Sequence, residues 1–227
     1  FDHATLSLTT FESVSDDYQI AVTLRTIGNI YSLLNQSDQS LDYYLRALMI
    51  FEDIEKEEEV AASVMMIGDV FSQWSQTEKA ILFFERSLSI HQKLGDHGGV
   101  LQSENKLAQS LMAMGRFEEA QNHLERALVI ADENDAIVPL ANLYTSLGEL
   151  HYHQFQLNTA QKYFLDALEM KRSIGNQGDI AIALSDVGRV YHESGDTPKG
   201  VFYYEQGQQL AESVDENAIS AEIYLQM

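Results

Sequence analysis

Apolar residues recur along this chain in steps of three and four, separated by short polar breaks. Leu24, Ile27, Tyr31 and Leu34 form one such run, and Leu41, Tyr44, Leu48 and Phe51 form the next. Val60, Val64, Ile67, Phe71 and Trp74 repeat the rhythm, followed by Ile81, Phe84 and Leu88. That spacing gathers the apolar side chains on one stripe of an α-helix, and no segment alternates strictly enough to predict a strand. The chain reads as all-α, a series of amphipathic helices of about fifteen residues each.

A longer period overlies the helical one. Gly28, Gly68, Ala108, Gly148 and Gly188 stand forty residues apart, as do Ala47, Ser87, Ala127, Ala167 and Gly207. Self-similarity at such a period marks a stack of two-helix units rather than a single globular core. The register divides the chain into repeats at 18–57, 58–97, 98–137, 138–177 and 178–217. Residues 1–17 take the register of the second helix of a preceding, truncated repeat, and 218–227 that of the start of a truncated sixth. On this reading the chain is one continuous solenoid domain within a longer protein. Leu8, Phe11, Tyr224 and Leu225 at its ends then offer a route to self-association.

Punctuation falls between the runs. Asn35, Gly115 and Gly195 stand between the two helices of their units, and Gly95 and Gly175 close second helices, where a left-handed residue ends a helix cheaply. Ser75 and Phe155 occupy the inter-helix place without a recognisable cap. Thr197 reads as an N-cap with Pro198 in the first turn, and Pro139 opens a first helix. Glycine in mid-helix costs about 1 kcal/mol relative to alanine, so its recurrence at 28, 68, 148 and 188 predicts close approach of a second helix. Small residues at Ser40, Ala80, Ala120, Ala160 and Gly200 mark the matching contact. The doublets Tyr43-Tyr44, Phe83-Phe84, Tyr163-Phe164 and Tyr203-Tyr204 predict one ring filling its own hairpin and the other packing on an adjacent unit.

These residues resemble the tetratricopeptide repeat. Its apolar, small and aromatic pattern appears as Ile27-Gly28 with Tyr31, Ile67-Gly68 with Phe71 and Val187-Gly188 with Tyr191; its later positions match Ala80, Phe84 and Ser87, and Ala160, Phe164 and Ala167. The period is forty instead of about thirty-four, similar to the longer variant of polarity adaptors, kinesin light chains and bacterial sensory or peptide-receptor proteins. The resemblance implies a right-handed helical-hairpin superhelix, with the extra residues in the second helix and the loop after it.

It also implies a concave groove lined by first helices, along which a peptide lies. Carried over residue by residue, the groove holds Arg25, Asn29, Met65, Asp69, Asn105, Lys106, Gln109, Asn142, Glu149, Tyr152, Asp186 and Arg189. Side-chain amides suit an extended peptide because they both donate and accept. Arg25 with Asn29 is similar to half of a carboxylate clamp, but Asp69 puts a negative charge where the next amide belongs. Asp69, Glu149, Asp186 and Glu193 permit instead a peptide of basic character, one carrying Lys or Arg.

Composition narrows the field further. Thirty-five acids against fourteen bases give a net charge of −21, which repels nucleic acid and suits solubility or a basic partner. The absence of cysteine excludes disulfides, thiolate nucleophiles and cysteine-ligated metals. It fits the cytoplasm best, with a periplasmic domain as the alternative. No apolar run is long enough to span a membrane. His151 and His153 are two apart, the wrong spacing for a helical metal pair, and no phosphate loop, dinucleotide fingerprint or paired carboxylates stand out. The reading is a non-catalytic protein- or peptide-binding scaffold without cofactor or metal. It is the sensory or regulatory module of a larger bacterial signalling protein or, alternatively, a stand-alone adaptor linking two proteins.

Overall fold

The computed structural model describes residues 16–134 and 136–213. The two terminal half-repeats, with Leu8, Phe11, Tyr224 and Leu225, lie outside the described residues. Among the described residues the chain is all-α: α1 (Asp17–Leu33), α2 (Ser37–Asp53), α3 (Glu57–Gln73), α4 (Thr77–Leu94), α5 (His97–Ala113), α6 (Phe117–Glu133), α7 (Ile137–His153), α8 (Leu157–Ile174), α9 (Gln177–Glu193) and α10 (Thr197–Ser213). Each runs for 17 or 18 residues. Several exceed the fifteen predicted from apolar spacing because they also include a polar first turn, such as Glu57, Glu58 and Glu59 of α3. The connections are only two or three residues. The forty-residue period is therefore filled by two helices of nearly equal length, not by a longer second helix and its loop.

Two compact units make up the chain, Phe1–Met114 and Gly115–Met227. The first holds the hairpins α1/α2 and α3/α4 with α5 packed on α4; the second holds α6 against α7, then the hairpins α7/α8 and α9/α10. Each hairpin closes around its mid-helix glycine. A Cβ built on Gly28 or Gly68 would lie 2.6 Å from the ring of Tyr44 or Phe84, and on Gly148 it would lie 2.5 Å from Phe164. A Cβ built on Gly188 would lie 3.1 Å from Tyr204 and from the Gly200 carbonyl. The second ring of each doublet thus packs on bare helix backbone. The first ring stays in its own hairpin too, stacking on the aromatic three residues past the glycine. Tyr43 stacks on Tyr31, Phe83 on Phe71, Tyr163 on His151 and Tyr203 on Tyr191, with centroids 5.3–5.5 Å apart.

Helix starts follow the chemistry of capping. Asp16, Asp96 and Asn176, each eighty residues from the next, accept from the main-chain N–H three residues on at 3.1–3.2 Å. Asp196 rather than Thr197 caps α10, accepting from Lys199 N–H at 3.4 Å. Thr197 and Pro198 form its first turn, where proline's missing N–H costs nothing.

Every inter-helix turn passes through the left-handed region at one place: Asn35 (φ 55°), Ser75 (56°), Gly115 (73°), Phe155 (58°) and Gly195 (89°). Two hydrogen bonds impose the geometry on Phe155: its own N–H donates to the Tyr152 carbonyl and Gln156 N–H to that of His151, both at 2.9 Å. A left-handed conformation costs a side-chain-bearing residue about 1–2 kcal/mol, and Phe155, 89% exposed, recovers little of that by burial. Phe155→Gly is expected to stabilise the protein by about 1 kcal/mol, read as a raised Tm in thermal unfolding. An unchanged or lowered Tm would show that the ring makes a stabilising contact.

Candidate functional site

The first helices α1, α3 and α5 of one unit, and α7 and α9 of the other, carry the predicted groove residues. They do so because the apolar stripe of each first helix is turned into the core, leaving a polar row on the opposite side. What stands out on these rows is pairing of opposite charges between successive first helices. Arg25 of α1 is ion-paired with Glu59 of α3. Asp69 of α3 meets Lys106 of α5 at 2.7 Å. Glu149 of α7 is ion-paired with Arg189 of α9, which also donates to Asp186 at 3.3 Å.

Arg25 lies over the Phe51 ring at 5.1 Å. The Tyr18 hydroxyl donates to Glu59 at 2.8 Å. Burial alone would raise the Glu59 carboxyl, but the Tyr18 hydrogen bond and the Arg25 guanidinium outweigh it and hold it below the ordinary value. With Arg25 already holding a carboxylate, the half-clamp expected of Arg25 and Asn29 is occupied from within. Asn29 instead accepts from the Tyr44 hydroxyl at 2.8 Å, which fixes its amide so that the NH₂ group points elsewhere. Tyr44 leads onward to a cleft of about 360 Å³ lined by Ser32, Tyr44, Met66, Asp69, Ser72, Gln73 and Lys106.

The second unit builds a different arrangement. The Arg189 guanidinium lies 4.4 Å over Tyr152 and 5.7 Å from the Phe164 ring centroid. Burial would lower its pKa, but Glu149 and Asp186 overcome this and raise it. Asp186 is buried. Burial also raises the Tyr152 hydroxyl and pushes that of Tyr204 up to about 12.

Of the predicted groove residues, the structure brings Asp69 and Lys106 together in the first unit, with Asn29 linked through Tyr44. In the second it brings together Glu149, Tyr152, Asp186 and Arg189. Gln109 and Asn142 are exposed. Asn105 is half-buried, and its Oδ1 has no hydrogen-bond partner. Met65 does not line a groove: it is 9% exposed and packs with Ala80, Phe84 and Leu107, so its register belongs to the core at this repeat. Its neighbour Met66, one helical step of about 100° round, faces the cleft instead.

Sequence reasoning missed Glu59 and Tyr44. Glu59 reads as one of three acids at a helix start, and Tyr44 as core. The signal for Glu59 was opposite charge at slightly less than one period from Arg25, as Lys106 stands slightly less than one period from Asp69. Because Asp69 and Glu149 each already hold a base, they are weaker carriers of an attraction for a basic partner. Reversing either to lysine would set it against Lys106 or Arg189.

The tetratricopeptide repeat profile matches residues 19–93, 60–133 and 139–213. The chain belongs to the tetratricopeptide repeat family. Among solved structures, this tetratricopeptide repeat chain is similar to BtubC (BKLC) from P. vanneervenii, with a TM-score of 0.77 and 18% identity over 95% of this chain and 91% of that one. A Rap protein complexed with competence and sporulation factor matches with a TM-score of 0.82 and 21% identity over 91% of this chain. NprR in complex with its cognate peptide NprX matches with a TM-score of 0.76 and 20% identity over 96%. The chain spans 57% of the Rap protein and 64% of NprR, less than two-thirds of either. At these identities the likeness concerns the helical solenoid fold. No curated protein sequence matches the chain.

Proposed function

We propose that this tetratricopeptide repeat chain is a non-catalytic scaffold that binds a protein or peptide along the face of its first helices, as the regulatory or sensory module of a larger signalling protein. The observation that carries the reading is the cleft at Asp69 and Lys106. It presents apolar surface from Met66, hydroxyls, an amide and both signs of charge, and it lies on the row the family resemblance assigns to ligand. Most of the other charges on that face are held in ion pairs that knit successive helices together, so the face is preorganised and little ordering of the scaffold opposes binding. The Rap protein and NprR, whose solved complexes contain competence and sporulation factor and the peptide NprX, have the same fold and support the reading. A stand-alone adaptor linking two proteins is the second reading.

Selection of a displayed random heptapeptide library on the wild-type chain is expected to yield binders. Their affinity should fall by about tenfold or more, roughly 1.4 kcal/mol, in an Asn29→Ala/Asp69→Ala/Lys106→Ala variant whose Tm is retained. Failure to select any binder, or binders indifferent to the variant, would overturn the assignment of this face.

A further inference from the structure

The cleft in the first unit sets an acceptor beside a donor. Asp69 Oδ1 and Lys106 Nζ are 2.7 Å apart, and both side chains are more than one-third exposed. Met66 supplies apolar surface, the buried Tyr44 forms the floor, and Ser32, Ser72 and Gln73 complete the lining. A carboxylate offers about four acceptor sites and an ammonium three donors. The pair spends one of each on itself and keeps the rest for a ligand. We propose that this cleft recognises a primary carboxamide, the side chain of an asparagine or glutamine in a bound peptide. The inference rests on the peptide-binding reading above.

Geometry selects this group over its competitors. In a main-chain peptide unit the N–H and C=O point to opposite sides of a planar trans bond. A donor and acceptor standing side by side can therefore engage only one of them. A primary carboxamide carries one N–H on the same edge as its oxygen, so it lays both against the pair at once: its N–H donates to Asp69 and its oxygen accepts from Lys106. A lysine or arginine side chain has to compete with Lys106 for Asp69, and a carboxylate has to compete with Asp69 for Lys106. Each displaces one member of the pair, whereas the neutral amide adds two hydrogen bonds and breaks none. At about 360 Å³ the cleft has room for the carboxamide and the methylenes behind it, which rest on Met66.

The test uses immobilised heptapeptide pools, random except for a fixed central Gln, Asn, Lys, Arg, Glu or Leu. They are titrated with the wild-type chain, with Asp69→Ala/Lys106→Ala, and with the exchanged pair Asp69→Lys/Lys106→Asp, each shown by circular dichroism to keep its helical content and Tm. The Gln and Asn pools are expected to bind about tenfold more tightly than the Glu and Lys pools, the scale of a bidentate amide contact. The preference should vanish in the double alanine variant. It should survive the exchange, since an amide reversed in the cleft meets the same two partners. Tightest binding by the Lys or Arg pools overturns the carboxamide proposal while leaving peptide binding intact. So does an amide preference that persists without the pair or is lost on exchange. Absence of binding by every pool overturns both.

Discussion

Gly68→Ala is expected to destabilise the first unit by about 1–3 kcal/mol, although alanine is the better helix former. The added methyl would sit 2.6 Å and 2.8 Å from Phe84 Cε1 and Cδ1. That ring is 1% exposed and cannot swing aside as the tip of a flexible side chain would. The repeat itself suggests the remedy. Gly28, Gly68, Gly148 and Gly188 coincide with Tyr44, Phe84, Phe164 and Tyr204, whereas the one unit with alanine at that register, Ala108, has Leu124 at the aromatic place. Phe84→Leu alone should cost about 1 kcal/mol or more through the contacts it empties. Combined with Gly68→Ala it should cost less than the two changes summed, with a coupling of about 1 kcal/mol. Urea denaturation of the four proteins gives the cycle directly, and Gly148 with Phe164 provides an independent copy in the second unit. Additive free energies would mean that helix and ring do not compete for the same space.

Arg189→Leu is the second large expected effect. It strips Glu149 and the buried Asp186 of the guanidinium they share and removes the planar group lying over Tyr152. Breaking a fully buried ion pair from one side costs about 3–5 kcal/mol. Arg189 is 18% and Glu149 26% exposed, so solvent relieves part of this and a loss of about 2–3 kcal/mol is expected. Arg189→Lys should fall between the two, since it keeps the charge but not the plane or the fork. Replacing Arg189, Glu149 and Asp186 together by leucine should recover much of the loss, because no carboxylate is then stranded. Thermal unfolding of the three variants ranks them. A triple variant less stable than Arg189→Leu alone would show that the cluster stabilises by attraction rather than by mutual neutralisation.

The architecture was written plainly in the chain. A period of forty with glycine or alanine at one register and an aromatic sixteen residues on leaves few ways to pack. The close approach of the two helices at the mid-helix glycine follows from that, although it is the ring rather than the small residue that covers Gly28, Gly68 and Gly148. The left-handed turn at Asn35 and the glycine ends at Gly95 and Gly175 follow from residue type. The candidate site was legible only as rows. Register tells which residues share a helix face, but not that Arg25 reaches Glu59 or Asp69 reaches Lys106, because long charged side chains choose partners on a neighbouring helix by reach and rotamer. Met65 and Met66 differ by one helical step, too little for a periodic argument to decide which is core. Asp196 and Thr197 are both good caps, and only the hydrogen bond to Lys199 N–H distinguishes them. Phe155 was opaque for another reason: its left-handed geometry is imposed by the turn's main-chain bonds against the residue's own preference.

Each glycine and the ring that covers it are separated by only sixteen residues of chain, and so are Gly28 and Tyr44, Gly68 and Phe84, Gly148 and Phe164, and Gly188 and Tyr204 alike. Closing so short a loop takes about 10–100 ns, and proteins dominated by such local contacts fold within microseconds to milliseconds. A hairpin leaving the ribosome can therefore make its internal contacts before its successor has been synthesised, and the successor then buries its remaining apolar face. The polypeptide would acquire structure hairpin by hairpin, in the order in which it is translated.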